Sequence, residues 1–220
     1  MSNKPLVCPD DAPDCGCRDE IVRLRQEISG LSELVAKDAL TGLYNSRHFK
    51  NVLQSEMDRS KRSGSPTTLV MVDIDYFKAI NDTHGYEVGN VVLQHIATIL
   101  EDEVRTTDIV CRYGGEEFAI IFAETHLRLA AKVADRIREA IAVTPIHYNG
   151  EEILVTVSMG ASVYIKTSIL DVVAFVDSVD KYLHEAKQSG RNCICHIDYA
   201  DLRMVAEESV DELAMLFNDE

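Results

Sequence analysis

The sequence predicts an α/β domain with a mixed sheet. Helix-period and strand-like stretches alternate from Asp38 to Asp198, the order expected when helices are layered on a sheet. Thr67–Ile74 is rich in β-branched and apolar residues, as a buried central strand requires. Tyr113-Gly114-Gly115-Glu116-Glu117 joins two strand-like stretches through a tight glycine turn, which makes that pair antiparallel.

From the N-terminus, residues 1–20 hold three Pro, three Cys and several Asp, and they read as irregular. Ile21, Leu24, Ile28, Leu31 and Val35 follow at spacings of 3, 4, 3 and 4, an a/d seam of about two heptads. A helix packed on its own domain and a short parallel coiled coil both satisfy that seam. The coiled coil is the expectation for residues 21–37, although a helix this short is barely stable alone and a dimer needs further contacts. The remaining helices are predicted over Ser46–Arg62, Val88–Glu103, His126–Val143 and Leu170–Ser189. Strands are predicted over Thr67–Ile74, Ile109–Tyr113, Glu117–Ala123, Ile153–Tyr164 and Cys193–Ile197, with Gly85, Gly89, Gly160 and Gly190 marking other junctions. A weak amphipathic pattern through Leu202, Val205, Leu213, Leu216 and Phe217 marks the tail, residues 199–220.

The chain has 220 residues, 46% of them hydrophobic, enough for one core-bearing domain, residues 38–198, and an extension. Lys and Arg number 22 against 37 Asp and Glu, a formal charge of −15. Such a surface repels nucleic acid and anionic membranes, while a basic pocket for a small anion remains open. Eight acids and one base from Asp198 onward carry −7 of that charge. No apolar run approaches the roughly 18 residues of a membrane span, and Met1–Pro13 is too polar for a signal peptide. The expected location is the cytoplasm, with Cys8, Cys15, Cys17, Cys111, Cys193 and Cys195 mostly reduced.

The acids point to chemistry. Asp73 and Asp75 end the strongest strand, and Glu116 and Glu117 lie in the glycine turn. One acid alone reads as a solvated turn residue. Carboxylates at a strand end facing a carboxylate pair on a neighbouring turn suit a hard cation that bridges to phosphates. By themselves these residues support a Mg²⁺-dependent nucleotide enzyme.

The same residues resemble a known family. Tyr113-Gly114-Gly115-Glu116-Glu117-Phe118 is similar to the signature turn of GGDEF-domain diguanylate cyclases, in a GGEEF form. Asp38-Ala39-Leu40-Thr41-Gly42-Leu43-Tyr44-Asn45, Asp73-Ile74-Asp75-Tyr76-Phe77-Lys78-Ala79-Ile80-Asn81-Asp82, Ser158-Met159-Gly160 and Ala186-Lys187-Gln188-Ser189-Gly190-Arg191-Asn192 resemble its other motifs, in order. The resemblance implies a ferredoxin-like mixed sheet, similar to the adenylyl cyclase core. It also implies condensation of two GTP into cyclic di-GMP with release of two pyrophosphates. A homodimer is required, because each domain holds one GTP, and two Mg²⁺ or Mn²⁺ ions serve each site.

On that resemblance Asp73, the Ile74 carbonyl and Glu116 hold metal. Glu116, with Glu117 as the other candidate, accepts the 3′-hydroxyl proton, and Gly114 and Gly115 bring the turn close to the nucleotide. Lys78, Lys187 and Arg191 neutralise phosphates, with Phe77 and Lys78 adding backbone donors at a helix start. Asn81 meets the guanine edge. Asn90 stands where the family usually has Asp. An amide accepts only one of guanine's two Watson–Crick donors through its oxygen, so relaxed selectivity and a mixed cyclic GMP–AMP product are the alternative. Arg105-Thr106-Thr107-Asp108 matches the family's inhibitory RxxD motif, with Arg136 as an arginine clamping the same cyclic di-GMP from another domain. A catalytically silent cyclic di-GMP receptor using these three residues is the reading from another class. Cys8, Cys15 and Cys17 do not form a standard zinc pattern; free thiols, or metal or redox sensing, are open. Cys111, Cys193 and Cys195 are expected as core or strand-face residues.

Overall fold

The computed structural model describes residues 36–198 and Arg23. The predicted seam from Ile21 to Val35, the tail over 199–220, and Cys8, Cys15 and Cys17 lie outside these, apart from Arg23 within the seam. The chain divides into two units, residues 1–37 and 38–220, and the sheet lies in the second.

The element order is β1 (Tyr44–Asn45), α1 (Ser46–Ser63), β2 (Thr67–Ile74), α2 (Phe77–His84), α3 (Tyr86–Glu103), β3 (Ile109–Arg112), β4 (Glu117–Phe122), α4 (Leu127–Val143), β5 (Ile146–Tyr148), β6 (Glu151–Ile153), β7 (Val157–Tyr164), α5 (Val172–Gln188) and β8 (Ile194–His196). The main sheet runs β1-β3-β4-β2-β7-β8. β2 is antiparallel to both β4 and β7, while β1 pairs parallel with β3 and β8 parallel with β7. The βαββαβ core in the order β7-β2-β4-β3 is the ferredoxin-like arrangement, so the mixed sheet predicted from sequence is present.

β2 and β7 are buried at every residue, and their alternation distributes side chains to two cores. Val70, Val72 and Ile74 face α3 and α4 with Val92, Ile96, Ala134 and Ile137. Leu69 and Met71 face α1 and α5 with Phe49, Leu53, Phe175 and Val179. α5 lies on the backbone of β7: a Cβ on Gly160 would come within 2.2 Å of Leu183 N and 2.6 Å of Val179 O. α1 is capped by Asn45, whose side chain accepts from Arg47 N and His48 N at 3.1 and 3.0 Å.

The structure departs from the predicted elements in several places: β1 and β5 were not predicted, and α5 begins at Val172, two residues later than expected. Of the strand expected over Ile153–Tyr164, Ile153 ends β6 and Val157–Tyr164 is β7, and β6 pairs with β5 instead of joining the main sheet. Asn149 and Gly150, both at positive φ (51° and 86°), make the two-residue turn of that hairpin, and an Asn-Gly pair is the strongest short hairpin signal. α2 was not among the predicted helices; its eight residues are too few to show a clear helical period. α3 begins at Tyr86, two residues earlier than predicted.

Candidate active site

The candidate acids gather at one end of β2. Asp73, 5% exposed, pairs in register with Glu117 of β4 and Ser158 of β7. The turn Gly114–Glu116 is closed by Tyr113 N and Gly114 N, which donate to Glu117 O at 2.8 and 3.1 Å. Ile74 N donates to Glu116 O at 3.3 Å, fixing the turn tip beside the strand end, while the Ile74 side chain is core. A Cβ on Gly114 would collide with Glu117 Oε2, whereas one on Gly115 would meet open space. A side chain at 114 would displace the Glu117 carboxylate, whereas the space beside Gly115 is open.

The carboxylates at this end are mutually repulsive. Burial pushes the Asp73 carboxyl up, against the pull of Lys187, whose Nζ lies 2.7 Å from Asp73 Oδ2. Burial also raises Glu116 and Glu117, and the charge on Asp73 raises both further. Asp180 of α5 is raised by burial and by Asp177, and it acts in turn on Glu117. This surplus of oxygen-donor charge, opposed mainly by one ammonium, is the chemistry that a hard divalent cation satisfies. Among the described residues no three carboxylates already converge on one point.

Asp75 corrects a sequence expectation. It was grouped with Asp73 as an open acid for a cation, yet its oxygens are taken. Oδ1 accepts from Ser158 Oγ at 2.6 Å, and Oδ2 accepts from Thr156 Oγ1 at 2.7 Å and Asn192 N at 3.1 Å. Asp75 therefore ties β2, β7 and the loop after α5 together. That loop is strained: Gly190, Arg191 and Asn192 all have positive φ, at 111°, 65° and 44°, a region non-glycine residues enter only when held there. Arg191 N donates to Ala186 O. The Arg191 guanidinium stacks 4.4 Å from the Tyr76 ring centroid and donates to its hydroxyl at 3.2 Å.

Beside the turn lies a cleft of about 520 Å³ lined by Phe77, Lys78, Asn81, Asp82, Tyr86, Asn90, Leu93, Arg112, Gly115 and Glu116. It brings six of the sequence-predicted residues together: Phe77, Lys78, Asn81 and Asn90 from α2 and α3, and Gly115 and Glu116 from the turn. Asn81 Oδ1 is buried with no partner in the fold, and it presses on the backbone where a Cβ at Gly89 would stand. A polar acceptor left unpaired here suits a ligand donor. Tyr76, the left-handed residue ahead of α2, gives no side-chain cap, which leaves first-turn N–H groups for an anion.

Arg112 was missed by sequence reasoning. Its Nη1 reaches both oxygens of Asp38 at 3.2 and 3.3 Å, and its Nη2 donates to Gly115 O at 2.7 Å. Asp38 also accepts from Thr41 N and Thr41 Oγ1 at 2.9 and 2.7 Å. The Asp-x-x-Thr spacing is the local signal of that turn; its arginine partner is 74 residues away. Burial lifts the Asp38 carboxyl, but the hydrogen bonds from Thr41 and then Arg112 outweigh it and hold the group below its ordinary value. A depressed carboxylate stabilises the fold above its unfolded pKa of about 4 and loses that contribution as pH falls through the lower folded value. Asp38→Ala is therefore expected to cost about 1.5–3 kcal/mol at pH 7. The difference from the parent, read by urea unfolding, should shrink toward pH 3.

At the far end of α3, Arg105 and Asp108 close a turn on each other: Arg105 N donates to Asp108 Oδ2 at 3.1 Å and Asp108 N to Arg105 O at 3.0 Å. Burial raises the Asp108 carboxyl. Arg136, expected to clamp the ligand from another domain, lies on α4, and within its own chain its Nε is 2.6 Å from Glu103 Oε2 and its Nη2 2.7 Å from Glu103 O, two residues before Arg105. The helix–helix packing of α3 and α4, which no local pattern reveals, makes these neighbours. Cys111 is a core residue as expected, while Cys193 and Cys195 are half-buried and unbridged.

The fold is thus an α/β domain with a ferredoxin-like sheet, carboxylates at one strand end, a glycine turn beside them and a polar cleft alongside. The model of the family "Diguanylate cyclase, GGDEF domain" matches residues 35–193, and the chain belongs to that family. It is 39% identical over 173 residues to the response regulator PleD of Caulobacter vibrioides, a match covering 78% of this chain and 38% of that protein. It is 37% identical over 167 residues to diguanylate cyclase A of Treponema denticola, covering 74% and 45%. The chain thus spans less than half the length of these curated relatives. Among solved structures it resembles the coiled coil and GGDEF domain of DgcB from Caulobacter crescentus, determined in complex with c-di-GMP. That match has a TM-score of 0.74 at 25% identity, covering 82% of this chain and 95% of that one. It also resembles diguanylate cyclase SiaD of Pseudomonas aeruginosa, solved with its activator SiaC, with a TM-score of 0.73 at 33% identity over 82% and 69%. Among the described residues no helix is long and apolar enough to cross a membrane.

Proposed function

We propose that this chain is a diguanylate cyclase that condenses two GTP into cyclic di-GMP and releases two pyrophosphates. The carrying observation is the single cleft lined by Asn81 and Asn90 together with Gly115 and Glu116, which gives a base and a reacting sugar–phosphate a common site. Asn81 and Asn90 take the guanine edge. Lys78, Arg191 and the first-turn N–H groups of α2 take phosphate oxygens, and Lys187 balances charge from the Asp73 side. Asp73, the Ile74 carbonyl and Glu116 are the residues that would hold two Mg²⁺ or Mn²⁺ ions. When bound, these ions neutralise phosphate charge and acidify the attacking hydroxyl. Glu116, raised by burial and by its neighbours, accepts the 3′-hydroxyl proton, with Glu117 holding the turn beside it. Catalysis is otherwise positioning of two nucleotides, which requires two domains face to face. We assign that pairing to a homodimer joined through residues 21–37. The domain over 38–198 works in the cytoplasm, where GTP is held, and the tail over 199–220 lies beyond it.

The test is incubation of the purified protein with Mg²⁺ and GTP, with products identified by mass spectrometry. Cyclic di-GMP supports the reading; a folded, dimeric sample that makes no product overturns it and leaves the receptor.

A second reading rests on Asn90, which lines the cleft beside Asn81. With equal GTP and ATP, cyclic di-GMP is the expected main product, accompanied by some mixed cyclic GMP–AMP. Restoring a charge-assisted hydrogen bond is worth about 1–3 kcal/mol, so Asn90→Asp should raise the preference for GTP over ATP roughly tenfold. An unchanged ratio counts against base reading at position 90.

Product inhibition is the third element. Arg105, Asp108 and Arg136 offer two guanidinium groups and a carboxylate for a dinucleotide. The double substitution Arg105→Ala, Asp108→Ala is expected to sustain turnover at product concentrations that stop the parent. Progress curves with added cyclic di-GMP measure this, and identical inhibition in both proteins rejects it.

A further inference from the structure

Cys193 and Cys195 are two positions apart at the start of β8, so their side chains share one face. The register fixes that placement: Cys195 pairs with Gly160 across β7–β8, and Met159 N donates to Cys193 O at 2.9 Å. Both thiols meet the last turn of α5. Cys193 Sγ donates to Ala186 O at 3.4 Å, and the Cys195 side chain interacts with those of Cys193, Ser189 and Glu185. Cys193 also lines a groove of about 470 Å³ with Arg128, Lys132, Arg138, Asn192 and His196, in which Asp135 is the acidic residue. On a chain of net charge −15, this groove gathers cationic side chains of α4 beside residue 193, whose thiol is turned to α5.

We propose that Cys193 and Cys195 form a dithiol site for a small anionic disulfide of the glutathione class, which oxidises the pair to an intramolecular disulfide at the root of the Gly190–Asn192 loop. The Cys193 thiolate attacks one sulfur of the small disulfide. A mixed disulfide forms and one small thiol leaves. The Cys195 thiolate then attacks Cys193 Sγ, and the second small thiol leaves. Two protein thiols lose two electrons and two protons, and one small disulfide becomes two thiols.

The division of labour follows from placement. Cys193 lies at the edge of the groove whose cations draw the anionic reagent, whereas burial and the neighbouring Cys193 hold the Cys195 thiol above its ordinary range, which suits the resolving position. Strand residues two apart have Cα atoms about 6.6 Å apart, at the upper edge of the range of about 4.4–6.8 Å that a disulfide spans. The bridge therefore needs β8 to pucker. A three-residue edge strand, paired only with β7 in the described sheet, yields more readily than a central one. A bridge made under such strain is easily reduced again, as a reversible modification requires.

The modification acts where the loop is anchored. Asn192, next to Cys193, donates its N–H to Asp75 and accepts from Arg138 Nη1 at 3.0 Å, and Arg191 stacks on Tyr76. Puckering at Cys193 shifts these contacts and, with them, the phosphate-side cations. That consequence rests on the cyclase reading; the bridge itself does not.

The experiment uses the full chain, reduced, desalted without oxygen and then exposed to glutathione disulfide before acid trapping, alkylation and peptide mapping. The peptide spanning residues 192–203 carries both cysteines. It is expected two hydrogens lighter than its reduced form and restored by dithiothreitol. Cys195→Ser is expected to trap a stable glutathione adduct on Cys193, and Cys193→Ser to block the bridge. Both cysteines remaining alkylatable, or a bridge to Cys111 or to an N-terminal cysteine, overturns the proposal. As a check independent of oxidation, phenylarsine oxide should bind one equivalent more to the parent than to Cys193→Ser; equal binding counts against a paired dithiol. Pyrophosphate release from GTP is expected to fall several-fold on oxidation of the parent and not of Cys193→Ser. An equal fall in both, or full bridging with unchanged release, overturns the coupling. A protein inactive in both states rejects the cyclase reading, while the peptide map still decides the dithiol.

Discussion

Glu116→Gln is expected to lower turnover of GTP by about 10²–10⁴-fold, the usual effect of removing a general base, without unfolding the domain. The substitution spares the backbone contact that seats the turn, because Ile74 N donates to Glu116 O and not to its side chain. It also removes a charge from a repulsive cluster. Burial, then Asp73 and Glu117, raise the Glu116 carboxyl, with Lys187 opposing. A carboxylate whose folded pKa is raised costs stability at neutral pH, a cost relieved as pH falls through that raised value. The amide variant should therefore melt no lower than the parent in metal-free buffer. The base works only when ionised, so the acid limb of kcat/KM should be lost or displaced in Glu116→Gln. An undiminished kcat in a well-folded variant would move the proton-accepting role to Glu117.

Gly160→Ala should do the opposite, disturbing the fold first and the chemistry through it. The added Cβ would lie within 2.2 Å of Leu183 N, 2.6 Å of Val179 O and 2.8 Å of Leu183 Cα. All three are backbone atoms, so no side chain can swing away and α5 must lift off β7. Overpacking of this kind costs about 1–3 kcal/mol or more, and each kcal/mol corresponds to about 2–4 °C of melting temperature in a domain of this size. α5 also carries Asp180 and Lys187 and leads into Arg191, so activity at a permissive temperature should fall as well. Equal melting temperatures for variant and parent would mean that α5 does not sit on the Gly160 backbone as described.

Part of the site was legible because its signals are local. The glycine turn, the acid-ended strand and the Asn81–Asn90 segment stand in recognisable order, and Phe77, Lys78, Asn81, Asn90, Gly115 and Glu116 do line one cleft. The β5–β6 hairpin was legible in principle through Asn149-Gly150 but was missed, only its last residue, Ile153, falling within a predicted strand. α2 was not legible as a helix, since eight residues following a left-handed Tyr76 carry little period. The thiol pair was visible as a spacing, Cys193-Ile194-Cys195, yet its relation to Ala186 and to the basic groove required the packing of β8 against α5 and α4.

Alternating hydrophobicity and turn chemistry by themselves determined the α/β class and the buried central strand β2, because side-chain period and backbone turns depend on near neighbours. The tertiary structure alone decided which of the candidate residues are open. Asp73 near the end of β2 and Asp75 one residue past it lie two positions apart and look equivalent in the sequence. Asp75 is closed by Thr156, Ser158 and Asn192, residues 81, 83 and 117 positions away, while Asp73 meets Lys187 and the turn. Arg136 became a neighbour of the Arg105 turn through its hold on Glu103, 33 positions away. Partners this distant are set by how strands register and helices pack, and a carboxylate's burial and charge environment follow only once those contacts exist.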